Sequence, residues 1–175
     1  MPGMTRRLLY RRFAELGLDD GAEVGVADGR NSLDLCEAIP NLRLLCVDPW
    51  RKYAGNPRGG PQEQHDGNLE LARQRLARFD VTFERAFSMD AVRDVPHGSL
   101  DFVYIDGHHG FDWVITDLVE WSRRVRSGGI VAGHDFYHFK AAGVVDAVVA
   151  YTKAHGISEW WLSDEREPSF WWVKP

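Results

Sequence analysis

Several features that would define a class of function are scarce or missing in this chain of 175 residues. It has only two cysteines, Cys36 and Cys46, which excludes a disulfide framework and a cysteine-based metal site. No apolar run approaches the ~18 residues that a membrane span needs, and residues 1–12 lack the apolar segment of a signal peptide. We therefore expect a cytoplasmic protein that does not enter a membrane.

Basic residues are fewer than acidic ones: the chain has 21 Lys and Arg and 26 Asp and Glu, which gives a net charge of −5. Nucleic acids and anionic membranes attract proteins that carry a basic surface. The acidic balance argues against nucleic acid as a partner and leaves a small molecule as the expected ligand. At this length we expect one domain that spans residues 1–175.

What the sequence does contain is a regular alternation of apolar, strand-like runs and amphipathic, helical stretches. Strands are predicted at residues 22–26, 42–47, 81–87, 100–105 and 130–133, helices at 31–39, 69–79, 111–125 and 144–154, and a short helix or turn at 88–95. An N-terminal helix within residues 1–20, a loop at 51–67 that can serve as a lid, and a hairpin at 157–175 complete the prediction. This order is typical of an α/β fold with a doubly wound, mostly parallel sheet.

Polar residues directly follow the predicted strands. They are Asp28-Gly29, Asp48, Ser88, Asp106 and His134-Asp135. Sheets of this kind bind their ligands at the carboxyl ends of the strands, near the point where the strand order reverses. The sequence therefore predicts a functional site at that edge.

The first turn, residues 23–32 (EVGVADGRNS), has glycines that let the backbone approach a ligand closely. The third glycine of a dinucleotide loop is missing, and so is the Gly-Lys-Ser/Thr of a phosphate loop. The turn thus favours a ligand without a pyrophosphate. A tight turn with no ligand explains the same glycines equally well.

Asp48 ends the second predicted strand, about 20 residues beyond the glycine turn, where a carboxylate accepts hydrogen bonds from a ribose. An adenosine ligand without a diphosphate fits both features, and S-adenosylmethionine is the obvious candidate. Trp50 then flanks the adenine, with Ser88 and Met89 on its other side. The alternative for Asp48 is a surface turn before Pro49.

Asp106, His134 and Asp135 follow neighbouring strands, so their side chains are expected to meet. Such a cluster can bind a divalent cation that holds a substrate oxygen and lowers its pKa. Oxygen ligands favour Mg²⁺, whereas a histidine shifts the preference toward Mn²⁺, Fe²⁺ or Zn²⁺. The alternative is that Asp106 contacts the cofactor and His134-Asp135 caps a helix.

His109 lies on the loop over the same cleft. Because an imidazole titrates near neutral pH, it suits removal of a proton from a hydroxyl nucleophile. His108 is the competing candidate, although it can instead face the cofactor.

The ordered set of motifs resembles the class I S-adenosylmethionine-dependent methyltransferases. The resemblance rests on residues 23–29 (EVGVADG), Asp48, 101–106 (DFVYID) and 127–131 (SGGIV). Residues 104–111 (YIDGHHGF) followed by GHD are similar to small bacterial enzymes near the macrocin-type O-methyltransferases and the cephalosporin-hydroxylase-like proteins. The resemblance implies a Rossmann-like, seven-stranded sheet whose last strand is antiparallel. It also implies methyl transfer to a small-molecule acceptor, with a hydroxyl oxygen favoured.

The same resemblance implies roles for single residues. Glu23, Gly25, Gly29 and Ser32 would surround the methionine part of the cofactor, and Asp48 would hold its ribose. The full predicted cofactor set is Glu23, Gly25, Val26, Gly29, Asn31, Ser32, Asp48, Pro49, Trp50, Ser88, Met89, Asp106 and His108.

Catechol-type enzymes bind Mg²⁺ through oxygen ligands at positions similar to Asp106, His134 and Asp135, and His134 departs from that all-oxygen pattern. Their catalytic lysine corresponds to His109. The resemblance therefore implies His109 as general base, with Asp106 positioning the substrate or the metal.

Two other functions stay open on the sequence. A nucleotide-dependent oxidoreductase of the NAD(P) type would use a similar sheet, but the missing third glycine weighs against it. A non-catalytic cofactor-binding module is the other alternative, and the concentration of polar residues at strand ends weighs against it. The sequence does not decide which acceptor is used or whether a metal is needed. It also leaves open the oligomeric state, for which a homo-oligomer is one possibility.

Overall fold

Helices and strands alternate along the chain in the computed structural model, which describes residues 2–53, 59–139 and 142–175. The first half contains α1 (Arg6–Glu15), β1 (Asp20–Val24), α2 (Arg30–Ala38), β2 (Arg43–Val47), α3 (Gln62–Leu76), β3 (Asp80–Glu84) and α4 (Ser88–Ala91). After a 3₁₀ turn (Val92–Asp94) come β4 (Leu100–Ile105), α5 (Phe111–Ser122), β5 (Val125–Gly133), α6 (Val144–Ala154), β6 (Trp161–Leu162) and β7 (Phe170–Val173). None of the helices in the described ranges is long and apolar enough to cross a membrane.

All seven strands belong to one sheet in the order β3-β2-β1-β4-β5-β7-β6. Strands β1 to β5 pair in parallel, whereas β7 runs antiparallel to both β5 and β6. The Rossmann-like, doubly wound sheet with an antiparallel last strand is thereby confirmed. The chain winds outward from β1 to β3 and then returns to β4 on the other side of β1, so the strand order reverses between β1 and β4.

Strand β4 shows how the sheet is held between two layers of helices. Its side chains alternate, with Phe102 and Tyr104 packed on the face of α1, α2 and α3, and Val103 and Ile105 on the face of α4, α5 and α6. All four are buried. Burial on both faces explains why this strand is a nearly continuous apolar run in the sequence.

The N-terminal helix predicted within residues 1–20 is α1. Thr5 caps it, since its hydroxyl accepts a hydrogen bond from the Leu8 backbone N–H at 3.3 Å. Tyr10 and Phe13 place the inner face of the helix against Tyr104 and Phe102.

Several predicted boundaries differ from the structure by two residues or more, and two of the differences have a clear physical reason. Helix α3 begins at Gln62, directly after Pro61, so residues 62–67 are helical rather than part of the predicted loop 51–67. The Gln62 side chain anchors this start by donating a hydrogen bond to the Trp50 carbonyl at 3.1 Å. Residues 54–58 of that loop lie outside the described residues.

Helix α5 ends at Ser122, before the predicted residue 125, and β5 begins at Val125. The turn is closed because the Arg124 N–H donates to the Trp121 carbonyl, while the Arg124 carbonyl accepts from the Leu100 N–H. Because Val125 pairs with Leu100 of β4, residue 125 belongs to the sheet, although the helical pattern had assigned it to α5.

Candidate active site

A cleft of about 280 Å³ opens at the carboxyl ends of the parallel strands. Eight of the predicted site residues line it: Gly25, Asp48, Pro49, Trp50, Ser88, Asp106, His108 and His109. Those outside its lining are Glu23, Val26, Gly29, Asn31, Ser32, Met89, His134 and Asp135. The structure thus separates the predicted set into residues that face the cleft and residues that lie beside or beneath it.

Gly25 stands where β1 and β4 end side by side. Its φ is 93°, and an added Cβ would lie 2.2 Å from the Asp106 carbonyl oxygen. The neighbouring backbone is fixed, because the Gly25 N–H donates to Val47 and the Asp106 N–H donates to Val24, both at 2.8 Å. Only a residue without a side chain fits here. Glycine at this position therefore lets the ends of β1 and β4 pack closely against each other at the edge of the cleft.

Asp48 joins the loops after β1 and β2. One carboxylate oxygen accepts from the N–H groups of Val26 at 3.1 Å and Ala27 at 3.0 Å, and the other accepts from the Trp50 N–H at 2.7 Å. A carboxylate has about four acceptor sites, so capacity for one further donor remains. The position of Asp48 is thus set by the backbone before any ligand binds.

Trp50 is buried, with 1% of its surface exposed. Its indole N–H donates to the Ala27 carbonyl at 2.8 Å, and its ring packs near Phe83 with centroids 6.1 Å apart. Trp50 consequently supports the loop from beneath, and it also belongs to the cleft lining.

Glu23, Asn31 and Ser32 form a buried group under the glycine turn. The Glu23 carboxylate accepts from the Asn31 amide at 3.0 Å and from the Ser32 hydroxyl, and Tyr10 donates to the Asn31 oxygen at 2.6 Å. Burial raises the pKa of Glu23 to about 8, although both hydrogen bonds oppose the rise. In this arrangement the three residues bind one another, and contact with a cofactor stays a prediction.

Ser88 and Met89 begin α4. The Ser88 hydroxyl lies at the cleft, whereas Met89 is half-buried against the apolar layer formed by α4, α5 and α6.

Two carboxylates and two imidazoles meet where β4 and β5 end. His109 Nε2 lies 3.0 Å from an Asp135 oxygen and 3.6 Å from an Asp106 oxygen. His134 Nδ1 lies 3.2 Å from the other Asp135 oxygen and 3.7 Å from the other Asp106 oxygen. Both histidines are largely buried. Each carboxylate therefore faces both rings.

The charges in this group affect one another. Burial lowers the pKa of His134, but the hydrogen bond to Asp135 and the charges of Asp106 and Asp135 outweigh it and raise that pKa above its ordinary value. Asp135 adopts a φ of 59°, which is uncommon for a residue with a side chain. That backbone conformation accompanies the placement of its carboxylate between His109 and His134.

The donor atoms of Asp106, His134 and Asp135 fit a divalent cation. One ligand atom from each residue lies within 4.8 Å of the other two. Adjacent ligands of an octahedral cation with bonds of ~2.1 Å stand about 3 Å apart. The contacts of 3.2 and 3.7 Å made by His134 Nδ1 are close to that spacing.

Several cleft residues were missed by reasoning from the sequence. Tyr53, Phe87 and Trp113 form an aromatic wall in which Tyr53 lies 5.2 Å from Phe87 and 6.2 Å from Trp113, between ring centroids. His108 lies against Trp113 at 5.0 Å. The three aromatic residues come from separate segments, so no local pattern joins them.

Asp117 was also missed. It lies on the buried face of α5, and its carboxylate accepts from the Ser88 hydroxyl at 2.5 Å. Burial raises the pKa of Asp117 to about 7. A signal was present in the sequence, because Asp117 falls within the helical apolar stripe that contains Val114, Leu118 and Trp121.

Comparison with known proteins gives a consistent result. A family model described as a methyltransferase domain matches residues 22–136. No curated protein sequence matches the chain significantly.

Solved structures with the same fold include three O-methyltransferases. The enzyme from Bacillus cereus, in complex with SAH, is 11% identical, covers 96% of this chain and 80% of its own, and has a TM-score of 0.69. TomG from Streptomyces achromogenes, involved in tomaymycin synthesis and in complex with SAM, is 14% identical over 100% and 84%, with a TM-score of 0.69. NovP is 17% identical over 97% and 79%, with a TM-score of 0.70. At these identities the likeness shows a shared fold.

Proposed function

This chain belongs to the methyltransferase-domain family, and we propose that it transfers a methyl group from S-adenosylmethionine to a hydroxyl oxygen of a small-molecule acceptor. The observation that carries the proposal is the cleft, which connects Asp48 at the end of β2 with Asp106 and His109 beyond β4. A ribose acceptor and a candidate proton acceptor thus line one space. The Bacillus cereus enzyme and TomG, which share the fold, bind SAH and SAM.

The cofactor is expected to lie along the ends of β1, β2 and β4. Its ribose would use the remaining acceptor capacity of Asp48. Its charged sulfur would lie near Gly25 and Asp106, which both line the cleft and where a carboxylate offers negative charge. Glu23 and Ser32 would act from beneath by holding the glycine turn in shape.

Methyl transfer from a sulfonium needs an oxygen nucleophile held in line with the carbon–sulfur bond, and it needs that oxygen to lose its proton. We propose that His109 accepts the proton that the acceptor oxygen loses. Its Nε2 lies 3.0 Å from an Asp135 oxygen and 3.6 Å from an Asp106 oxygen, so these carboxylates can orient the ring. Asp106, which lines the same cleft, would position the acceptor.

A divalent cation such as Mg²⁺ or Mn²⁺ is the second part of the proposal. Asp106, His134 and Asp135 would hold it, and the nitrogen ligand favours Mn²⁺ more than an all-oxygen set does. Such a cation supplies Lewis-acid stabilisation of an acceptor oxygen that has lost its proton.

A ring-shaped acceptor suits the aromatic residues beyond β5. Tyr137 and Phe139 stack with centroids 4.6 Å apart, and Phe139 meets the His109 ring edge to face at 5.5 Å. A sugar or phenol hydroxyl could be held against these rings. The net charge of −5 disfavours nucleic acid as the acceptor.

Isothermal titration with S-adenosylhomocysteine tests the cofactor. We expect one site per chain, weakened about tenfold in Asp48→Asn through loss of a charge-assisted hydrogen bond. Asp80→Asn removes an exposed carboxylate at the start of β3 and should leave the affinity unchanged. Because Asp48 also holds three backbone N–H groups, each variant is checked by thermal denaturation. No binding to the wild type would contradict the proposal, and binding of NAD instead would favour an oxidoreductase.

The acceptor is tested by incubating the enzyme with labelled S-adenosylmethionine and a panel of sugar and phenol compounds, with mass spectrometry of the products. A methyl ether is the expected product. Methylation of nitrogen alone would contradict transfer to oxygen. Activity that is unchanged after exhaustive chelation would remove the metal from the proposal.

A further inference from the structure

The loop between β6 and β7 passes beside the segment that follows β5. The Phe136 N–H donates to the Pro168 carbonyl at 3.0 Å, and the Tyr137 hydroxyl donates to Glu167 Oε1 at 3.3 Å. Glu167 therefore lies next to a residue only two positions beyond Asp135. Tyr137 and Glu167 both fall within the described ranges, and neither lines the cleft of the proposed cofactor. This part of the structure borders the site on the side left for the acceptor.

A row of rings connects Tyr137 with His109. The Tyr137 and Phe139 rings are stacked, with centroids 4.6 Å apart and planes inclined by 24°. Phe139 in turn meets the His109 ring edge to face at 5.5 Å. Both aromatic side chains are half-buried, so each keeps surface open to a ligand. An acceptor with its hydroxyl at His109 can extend along these rings to Glu167.

Glu167 is a carboxylate without a cation. It is exposed, and no Lys, Arg or His nitrogen of residues 2–53, 59–139 and 142–175 lies within 4 Å of it. The other two carboxylates of the loop are used to hold the start of α1. Asp164 Oδ2 accepts the Gly3 N–H and Glu165 Oε2 accepts the Arg6 N–H, both at 2.9 Å. Glu167 is thus the carboxylate of this loop that can bind a ligand.

The combination of a carboxylate with aromatic rings suits a cation. An ammonium group is attracted to the negative face of an aromatic ring, and it forms a charge-assisted hydrogen bond with a carboxylate. An anionic group in the same place would be repelled by Glu167. The charge of the acceptor is therefore the property that this end of the site can distinguish.

We propose that the acceptor is a hydroxylated amine, whose protonated amino group is bound by Glu167 beside the Tyr137 ring. Amino sugars and amino-substituted phenols belong to this class. The inference rests on the proposed function, in which His109 takes the proton of the acceptor hydroxyl. Glu167 then determines specificity for the acceptor and takes no part in the chemical step.

Two competing explanations make different predictions. Arg6 offers the opposite charge, because its Nη1 lies 3.5 Å from His134 Nε2, and an acceptor selected by Arg6 would be an anion. A purely structural Glu167 would only hold Tyr137 in place, and its loss would weaken all acceptors by the same factor. Selection by Glu167, in contrast, changes the ratio between a cationic and a neutral acceptor.

Three phenols of matched shape test the proposal: tyramine, 4-propylphenol and 3-(4-hydroxyphenyl)propionate, which end in an ammonium, a methyl and a carboxylate group. Their affinities are measured by equilibrium dialysis at pH 7 and low salt, with the protein saturated by S-adenosylhomocysteine and Mg²⁺ present. In the wild type, tyramine should bind about 5- to 10-fold more tightly than 4-propylphenol, and the propionate should bind most weakly. At 1 M NaCl most of this preference should be lost.

Glu167→Gln keeps an acceptor for the Tyr137 hydroxyl and removes the charge. It should reduce the preference for tyramine to about 2-fold, because the contact between the amine and the ring remains. Glu84→Gln changes an exposed carboxylate on β3, at the opposite edge of the sheet, and should keep the wild-type ratio.

A preference for tyramine that survives Glu167→Gln overturns the role of Glu167. Equal affinities in the wild type overturn the acceptor class, and tighter binding of the propionate does so in favour of Arg6. Failure of all three phenols to bind, with S-adenosylhomocysteine bound, also overturns the acceptor class and leaves cofactor binding intact. Failure of S-adenosylhomocysteine to bind overturns the proposed function as well.

Discussion

Replacing Glu23 by Gln isolates the effect of one buried carboxyl on stability. Glu23 is fully buried in β1 and accepts hydrogen bonds from Asn31 and Ser32. In Glu23→Gln the amide oxygen can still accept from Asn31, while the amide nitrogen faces Ser32. The Ser32 hydroxyl can then turn toward the Cys46 sulfur, which lies 3.5 Å away. The substitution thus keeps the shape and the hydrogen-bond partners, with donor and acceptor exchanged in both bonds of Ser32, and removes the ability to ionise.

The magnitude follows from the pKa of Glu23. Burial raises it from an ordinary 4.5 to about 8, which corresponds to about 5 kcal/mol because one pKa unit is ~1.4 kcal/mol. The folded state binds the proton more tightly than the unfolded state does. The stability that Glu23 contributes is therefore fully present below pH 4.5 and is lost as the pH rises through 8. At pH 9 the variant should exceed the wild type by a few kcal/mol.

Urea denaturation at pH 5, 7 and 9 measures this difference, with a chelator present to keep divalent cations away from Asp106. Asp117 also titrates, but it is the same in both proteins and cancels in the comparison. Glu37→Gln on the exposed face of α2 is the matched control, and it should change the free energy of unfolding by less than about 1 kcal/mol at every pH. Parallel pH curves for the wild type and Glu23→Gln would refute the reasoning, since they would show that Glu23 carries no buried proton.

Three further perturbations test the cleft. Gly25→Ala should destabilise the fold by at least ~3 kcal/mol more than Gly17→Ala in thermal or urea denaturation, because both have a positive φ but only Gly25 meets backbone, 2.2 Å away. Equal losses would remove the argument from close approach. His109→Asn should lower kcat by about 10²- to 10⁴-fold with little change in KM, measured on an identified acceptor, and an unchanged kcat would exclude it as the base. Asp135→Asn should abolish the Mn²⁺ binding that titration calorimetry is expected to show for the wild type, while retained affinity would place the cation elsewhere.

Much of the fold could be predicted because its strands are buried on both faces. Strand β4 at Leu100–Ile105 matches the predicted residues 100–105, since an apolar run between two helical layers has one stable placement. The start of α3 was missed for the opposite reason. Residues 62–67 are polar, so they show no apolar periodicity, and a side-chain contact from Gln62 to the Trp50 carbonyl anchors the first turn.

The candidate site could be predicted in part. Because parallel strands end at one edge, the sequence order alone placed Asp106, His134 and Asp135 together, and the structure brings their donor atoms within 4.8 Å. Asp117 could not be found in the same way. Its place on the apolar stripe of α5 marks it as buried, but its partner Ser88 is 29 residues distant and no local pattern identifies that partner.

The two glycines of the first turn show most clearly what a sequence pattern leaves unresolved. Gly25 and Gly29 both have a positive φ, and both were predicted to let a ligand approach. In the structure, an added Cβ on Gly29 would lie 2.9 Å from the Cα of Ala72 in α3, whereas on Gly25 it would strike Asp106 at the cleft. Packing between helices is therefore sufficient to require Gly29 without any ligand. Close packing of the β1 and β4 strand ends requires Gly25 in the same way, but Gly25 also lines the cleft whereas Gly29 does not, so a cofactor argument from this turn stands on Gly25.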